Sequence, residues 1–372
     1  MGAQPDRRGR ALELLQGARQ FRVLDADSPD GLAAWNEVWL GWPGREVMAH
    51  PEYARLFARP CDRVVGFVGQ GSGWNILFPL ILRPLSAERW ARPAEGRWDA
   101  ISPYGYGGPF AWGSRPRADA EFWGAYAEWC EQERIVSTFV RLSLFPEQLA
   151  ALPGNVEERS PNIVIWLEAD PEALWRGYEK NVRRWVRTAE NAGLEVEVDH
   201  EGARLDEFHA VYTHTMQRRH ADGWYQFSRS FFQSLIERLR GHFAFFHTWS
   251  GRNMVSSELM LCSREHVYSF LGGTLVDSYP LGPNYLLKHR CLSWASNEGK
   301  RACVLGGGYE QNDGLLRYKR AFARRGEVPF RVACMTHDEK ANRQLVSDRA
   351  LFHARRGEVW LPRADFFPRY RA

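Results

Sequence analysis

The feature that most constrains the fold is an order of sequence patterns that occurs twice along the chain. Each half has two apolar runs joined by a short turn, which is the pattern of a β-hairpin, and then a Gly-rich bend, a helical stretch and a strand. The first copy is Val64–Val68, turn 69–73, Ile76–Leu82, bend 105–108, helix Ala120–Glu133 and strand Ser137–Leu144. The second copy is Phe243–Trp249, turn Ser250–Asn253, Met254–Cys262, bend Gly272–Gly273, helix 284–298 and strand Arg301–Leu305. The offset of roughly 165 residues suits two α/β domains of ordinary size.

The stretch between the copies has the composition of a domain boundary. Pro153, Gly154 and Pro161 interrupt any regular element there, as linkers commonly do. We therefore predict a first domain over residues 1–155, a second over 156–340 and a carboxy-terminal extension over 341–372. The basic segment Arg317–Phe322 occurs only in the second copy, so we expect the chemistry to lie there and a cleft to separate the two domains.

Composition excludes several classes of protein. A chain of 372 residues with 44% hydrophobic content can bury two cores, which excludes a disordered or fibrous protein. The net charge of +4 is far below that of a protein that coats nucleic acid, although a local basic patch still permits a phosphate-rich partner. The longest apolar run, Ile76–Leu82, is too short for a membrane span, and no apolar core follows residues 1–10. These features predict a cytoplasmic protein.

The six cysteines are scattered and contain no Cys-x-x-Cys pair. They indicate buried thiols in a reducing compartment, without a disulfide framework or a zinc site. The histidines of the second half show no convincing ligand spacing either, so no metal site is predicted.

Four cations share one face of a predicted helix. The positions i, i+3, i+4 and i+7 are occupied by Lys180, Arg183, Arg184 and Arg187, whereas apolar residues follow the same spacing on another face. Like charges at this spacing repel one another, and a bound polyanion would remove that cost. The stripe is either a phosphate-binding surface or a solvated helix face.

A second basic feature ends the next predicted helix, Phe208–Arg219. Arg218 and Arg219 precede the aromatic segment Gly223–Phe227. The arginines could bind a phosphorylated or planar ligand, or they could complement the dipole at the helix carboxyl end.

The order of these motifs resembles that of the Fem-type aminoacyltransferases (FemAB/FemX-like). The resemblance covers about residues 45–335. It rests on the basic helix 180–193 with Leu194-Glu195-Val196, the Thr-x-x-Arg end at Thr215–Arg218, Gly272-Gly273, Leu281–Leu287, Val304–Gly307, Tyr318-Lys319-x-x-Phe322 and the loop Ser102–Pro109. It implies an α/β fold of two tandem acetyltransferase-like (GNAT) domains, with the acceptor on the first and the donor and catalytic side on the second.

The family placement also implies a reaction, the transfer of an amino acid from aminoacyl-tRNA to an amine. The tRNA ester is already activated, so the enzyme mainly has to position the amine and stabilise the oxyanion. No bound cofactor is expected, with aminoacyl-tRNA as co-substrate. Lys319 matches the motif lysine and is the expected catalytic cation. The expected residues for the donor tRNA are Lys180, Arg183, Arg184, Arg187, Arg317 and Arg320; those for the acceptor are Tyr104, Tyr106, Arg218, Tyr225 and Tyr268.

Two departures from the family pattern leave the acceptor open. The first-domain loop of the peptidoglycan enzymes reads Pro-Arg-Gly-Pro, whereas Tyr104–Pro109 has no arginine, and no coiled-coil arm is predicted between the domains. The acceptor could be a cell-wall precursor, a sugar or a natural-product intermediate. An acyl-CoA N-acyltransferase is the main alternative, although no good copy of the CoA pyrophosphate loop is found; a non-catalytic ligand-binding protein of the same fold is the other.

Overall fold

The chain forms two compact units. A computed structural model describes residues 14–16, 19–91, 96–114, 119–167, 170–219, 223–308 and 314–372, so the amino-terminal residues 1–10 considered above lie outside it. Unit 1 comprises residues 1–42, 48–158 and 331–372, and unit 2 comprises residues 43–47 and 159–330.

Unit 1 surrounds a mixed sheet of nine strands. Its strands are β1 (Leu14–Gln16), β2 (Arg19–Asp25), β3 (Arg63–Gly71), β4 (Trp74–Pro84), β5 (Trp98–Ile101), β6 (Phe110–Gly113), β7 (Ile135–Arg141), β8 (Asn155–Glu158) and β16 (Arg331–Thr336). Its helices are α1 (Pro29–Leu40), α2 (Pro51–Leu56), α3 (Asp119–Gln132) and α10 (Glu339–Ala354). Aromatic side chains dominate the core; Trp35, Phe67, Phe122 and Trp129 are almost completely buried.

Unit 2 surrounds a mixed sheet of seven strands. Its strands are β9 (Asn162–Trp166), β10 (Glu195–Asp199), β11 (Phe243–Ser250), β12 (Asn253–Cys262), β13 (His266–Thr274), β14 (Ala302–Gly306) and β15 (Glu327–Val328). Its helices are α4 (Pro171–Gly177), α5 (Lys180–Asn191), α6 (Leu205–Arg218), α7 (Arg229–Arg238), α8 (Pro283–Asn297) and α9 (Gly314–Arg320).

The two units repeat one topology. Unit 1 runs β2-α1-α2-β3-β4-β5-α3-β7, with β6 inserted, and unit 2 runs β10-α6-α7-β11-β12-β13-α8-β14. In each unit the first four strands are antiparallel, and the last two pair in parallel across a helix: β5 with β7, and β13 with β14. A parallel pair needs such a crossover. The tandem α/β architecture predicted from the repeated patterns is confirmed.

The predicted hairpins are also present, as β3–β4 and β11–β12. Gly272-Gly273, predicted as a bend, instead lies inside β13. A Cβ atom on Gly273 would come within 2.7 Å of the carbonyl oxygen of Val211 in α6. The glycine pair therefore permits a close approach of helix to strand instead of a turn.

The units exchange short segments of chain. Strand β16 follows unit 2 in sequence but pairs with β7 and β8 of unit 1, and α10 belongs to unit 1 as well. Residues 43–47 lie between α1 and α2 in sequence but belong to unit 2. The prediction ended the second domain at residue 340 and treated 341–372 as an extension, whereas residues 331–372 belong to unit 1. The boundary depends on the pairing of β16 with strands far away in sequence, which leaves no local signal. No described helix has both the length and the apolar character of a membrane span.

Candidate active site

The two parallel strands of unit 2 separate part of the way along their length. Strands β13 and β14 are paired only over His266–Tyr268 and Ala302–Val304, whereas β13 continues to Thr274 beside β12 with a register shift near Phe270. Within the described ranges, no strand lies next to the rest of β13 on the β14 side. Backbone N–H and C=O groups along a strand edge can hydrogen-bond the carbonyl or amide of a ligand; at the end of β13 the Thr274 N–H already donates to the Thr215 hydroxyl at 3.0 Å.

Lys319 lies at the same end of the strands. It is half-buried in the last turn of α9, and its Nζ donates a hydrogen bond to the carbonyl oxygen of Gly307 at 2.7 Å. Gly307 is the first residue after β14. The structure therefore places the ammonium group of the predicted catalytic lysine where the pairing of β13 and β14 has ended.

A polar trio lies at this level of the sheet: Glu258 and Lys288, which are buried, and the half-buried Ser269. Lys288 of α8 forms an ion pair with Glu258 of β12 and donates a hydrogen bond to the Ser269 hydroxyl at 3.0 Å; that hydroxyl donates in turn to Glu258. Burial by itself lowers the pKa of Lys288, but the carboxylate of Glu258 outweighs it and raises that pKa. Lys288 is therefore charged at neutral pH, because the carboxylate of Glu258 stabilises its ammonium group.

Tyr318, on α9, contacts the start of α8. Its hydroxyl donates a hydrogen bond to the carbonyl oxygen of Asn284 at 3.0 Å, and its ring contacts that of Tyr285 edge-on, with centroids 5.2 Å apart. Burial, and next the negative charge of Glu258, raise the pKa of Tyr318 well above its usual value. Tyr318 is thus a neutral hydroxyl at neutral pH, and it is next in sequence to Lys319.

The start of α8 contacts the predicted cationic helix. Tyr285 stacks on Trp185 of α5 with ring centroids 5.9 Å apart. Gly282, the residue before α8, has φ of 69°, and a Cβ atom there would be 3.0 Å from the Trp185 ring. Glycine is required at this position both for its backbone conformation and for the close approach.

The four cations of α5 differ in exposure and in the groups they contact. Lys180, Arg184 and Arg187 are exposed; Arg184 lies over the Trp185 ring and Arg187 over the Trp175 ring, at 5.5 and 5.6 Å. Arg183 is half-buried, and its guanidinium donates to the carbonyl oxygens of Tyr178, Trp175 and Arg176 at the end of α4. Arg183 therefore caps a helix end, and three of the four cations face solvent.

The other predicted donor cations are on α9. Arg317 is exposed, and Arg320 forms an ion pair with Glu327. An edge-on contact between Tyr318 and Phe322, with centroids 5.3 Å apart, connects α9 with the residues that follow it.

The predicted acceptor residues fall in different parts of the chain. Tyr104 and Tyr106 belong to unit 1, where the Tyr104 carbonyl oxygen accepts a hydrogen bond from the Tyr53 hydroxyl at 2.8 Å. Arg218 ends α6 and donates to the Tyr279 hydroxyl at 2.5 Å. The Tyr225 carbonyl oxygen accepts a hydrogen bond from the Tyr212 hydroxyl.

Tyr268 has a carboxylate partner. Its side chain is buried, and its hydroxyl donates to Glu46 at 2.7 Å, while His266 Nδ1 lies 2.6 Å from the same carboxylate. Burial by itself raises the pKa of Glu46, but the hydrogen bond and charge of His266 outweigh it and lower that pKa. This cluster joins residues 43–47 to β13.

Sequence reasoning missed Glu258, Ser269 and Lys288. The signal that could have found two of them is an ionisable residue inside an otherwise apolar element: Glu258 in Met254–Cys262, and Lys288 after Leu286 and Leu287. Charged side chains at such positions are rarely buried without a partner.

Comparisons with known proteins agree with this fold. A family model for the acetyltransferase (GNAT) domain matches residues 176–320, within unit 2. The crystal structure of FemX is similar with a TM-score of 0.60 and 12% identity, over 82% of this chain and 94% of that chain. The structure of L-PGS from Bacillus licheniformis has a TM-score of 0.52 and 13% identity, over 85% and 94%. Comparison with curated proteins gave no match.

Identities this low establish a shared fold, and the repeated topology accounts for it unit by unit. The chain has the fold of transferases of the acyltransferase kind. It shares the fold of FemX, two tandem GNAT-like units, and the acetyltransferase (GNAT) family model matches the second of them.

Proposed function

We propose that the protein is an aminoacyl-tRNA-dependent aminoacyltransferase that forms an amide bond on an amine acceptor. The observation that carries this proposal is the position of Lys319, whose ammonium group lies 2.7 Å from the Gly307 carbonyl oxygen, at the end of the β13–β14 pairing. A compact cation at that point can stabilise the oxygen of an acyl carbonyl as it gains negative charge. The acceptor is a cell-wall precursor, a sugar or a natural-product intermediate.

The reaction needs no nucleophile on the protein. The acceptor nitrogen attacks the ester carbonyl carbon of aminoacyl-tRNA and forms a C–N bond, and negative charge gathers on the carbonyl oxygen near Lys319. The intermediate then expels the ribose oxygen of the tRNA end, which breaks the C–O bond. The amine proton goes to that ribose oxygen, so the products are an amide and free tRNA.

Two features favour tRNA as the donor. Lys180, Arg184 and Arg187 expose three cations on one helix, which suits a phosphate backbone. The turn before α8 places Pro283 at the first helical position, and proline has no N–H to offer to a pyrophosphate. The second candidate, an acyl-CoA N-acyltransferase, is favoured by the acetyltransferase (GNAT) family match.

The donor can be identified by a transfer assay with a labelled amino acid. Full-length protein is given aminoacyl-tRNA and cell extract, and the label is followed into the small-molecule fraction by mass spectrometry. We expect transfer that RNase abolishes. Transfer that survives RNase and requires an acyl-CoA would contradict the proposal and establish the second candidate.

The role of Lys319 is tested in the same assay. Lys319→Ala should reduce turnover by about 10²-fold or more, as loss of one oxyanion-stabilising group typically does. Lys340→Ala, an exposed lysine on α10, is the control and should keep full activity. If Lys319→Ala retained wild-type turnover, the oxyanion role would be refuted.

A further inference from the structure

The carboxy-terminal strap, residues 355–372, exposes apolar side chains to solvent. It follows α10 and is fixed to unit 1 at its far end, where Tyr370 is fully buried and its hydroxyl lies 2.7 Å from that of Ser137. Arg371 forms ion pairs with Asp99 and Glu88 in the same place. The strap is therefore an ordered part of the surface.

Trp360 anchors the middle of the strap. Its indole N–H donates to the carbonyl oxygen of Ala372 at 3.2 Å, its ring stacks on His353 with centroids 6.1 Å apart, and the Arg349 guanidinium lies 4.7 Å from its centroid. The side chains before and after it, Val359 and Leu361, are 90% and 77% exposed. Trp360 is half-buried by these contacts, whereas both neighbours face solvent.

Other apolar side chains of this region are exposed too. Leu351 on α10 is 49% exposed and Phe366 on the strap is 39% exposed. A group of ordered, exposed apolar side chains in one region is a mark of an interaction surface.

The positive charge of this region indicates which kind of partner it binds. Residues 339–372 contain eight Lys and Arg against four Asp and Glu; one of these cations, Arg371, pairs with Asp99 and Glu88 and adds no free charge. The two acids of the strap are engaged locally, Glu358 with His353 and Asp365 with Arg363, whereas Arg355 and Arg356 are exposed beside the apolar side chains. Apolar side chains flanked by cations suit an anionic lipid surface, and the same positive charge disfavours pairing with a second copy of this surface.

We infer that the carboxy-terminal strap and the exposed end of α10 form a peripheral binding surface for anionic membranes. Val359 and Leu361 enter the headgroup region, and Arg355 and Arg356 bind lipid phosphates. The acceptor or product would then be handled close to a lipid surface, whichever acyl donor the enzyme uses.

Vesicle co-sedimentation of the full chain tests this inference. One vesicle is phosphatidylcholine alone, and the other contains about one-third phosphatidylglycerol. We expect binding to the anionic vesicle only, with weakening as salt is raised. Absence of binding to both vesicles, or equal binding to both, would overturn the inference; the first result would make an acidic protein the partner to test.

Variants locate the surface. Val359→Asp/Leu361→Asp should reduce the bound fraction about tenfold, because both side chains would then avoid the headgroup region. Leu40→Asp is the matched control, since Leu40 on α1 is 60% exposed, and it should bind as wild type does. The positions are exposed, so the unfolding temperature should not change. If the double variant bound as tightly as wild type, this surface would not be the membrane contact.

Discussion

Replacing Lys288 by methionine tests the polar trio of the candidate site. Lys288 is 4% exposed, and its partners are the Glu258 carboxylate and the Ser269 hydroxyl. Methionine keeps the length of the side chain and fills the same space. The substitution therefore removes the cation and leaves a buried carboxylate with the serine hydroxyl alone.

The expected loss follows from that remaining partner. Breaking a buried ion pair by removing one member costs about 3–5 kcal/mol. Ser269 still donates to Glu258, so we expect the lower end, about 3 kcal/mol. For a unit of this size that loss lowers the midpoint of thermal unfolding by roughly 6–12 °C.

A double variant separates the loss of charge pairing from the loss of packing. Glu258→Gln/Lys288→Met leaves no unpaired ion, so it should recover most of the loss and lie within about 1–2 kcal/mol of wild type. Arg290→Met is the control on the same helix: Arg290 is half-exposed and pairs with Glu190 at 3.2 Å, so its loss should cost less than about 1 kcal/mol.

The measurement is urea and thermal unfolding of the full chain at neutral pH. Because there are two units, circular dichroism and tryptophan fluorescence are both followed, and one of the transitions should move. The reasoning is refuted if Lys288→Met lies within about 0.5 kcal/mol of wild type, or if the double variant is no more stable than the single one.

Four further substitutions have distinct expected outcomes. Glu46→Ala should destabilise by about 3 kcal/mol at neutral pH; because the fold lowers the pKa of Glu46, this contribution is present above the unfolded value of about 4.3 and disappears as the pH falls through the folded value, as urea unfolding at several pH values will show. Arg183→Ala should lower stability by about 1–2 kcal/mol through loss of the α4 cap, whereas Arg187→Ala should leave stability unchanged and reduce the salt dependence of tRNA binding by about one phosphate contact, measured by filter binding. Gly282→Ala should destabilise by more than about 1 kcal/mol in thermal unfolding, because it adds backbone strain and a contact with Trp185.

Controls for these substitutions come from the same chain. Gly299 has φ of 69° and open space around its Cβ position, so Gly299→Ala measures the backbone strain alone; equal losses at both glycines would contradict a role for the Trp185 contact. For Glu46, a stability difference that does not shrink in acid would contradict the linkage. For the arginines, similar effects of both substitutions on tRNA binding would contradict their separation into a cap and a surface cation.

Local patterns predicted the elements well. The helices 284–298 and Ala120–Glu133 were predicted within one residue of α8 and α3, and the hairpins and neighbouring strands within three residues of the observed ends, because periodicity and turn residues act over short distances. The glycine pair in β13 was wrongly predicted to be a bend. Glycine is needed there because α6, which is far away in sequence, packs closely against the strand.

The candidate site was predictable only in part. The resemblance predicted Lys319, and the structure places it at the end of the β13–β14 pairing. The trio was not predicted, because Glu258 and Lys288 are 30 positions apart and neither has a local pattern that names its partner. Whether Lys319 and the predicted donor and acceptor residues act as proposed stays a prediction for the transfer assay.

By itself, the sequence determined the repeated order of elements and the presence of four cations on one helix face, since both follow from side-chain periodicity. Only the tertiary structure decided which cations are available to a ligand. Arg183 hydrogen-bonds the end of α4, while Arg184 and Arg187 lie over tryptophan rings and face solvent. The tertiary structure also decided that residues 43–47 belong to unit 2 and strand β16 to unit 1, although each lies far in sequence from most of its unit. The physical reason is that burial and hydrogen-bond satisfaction depend on neighbours that folding brings together, and these leave little trace in the local sequence.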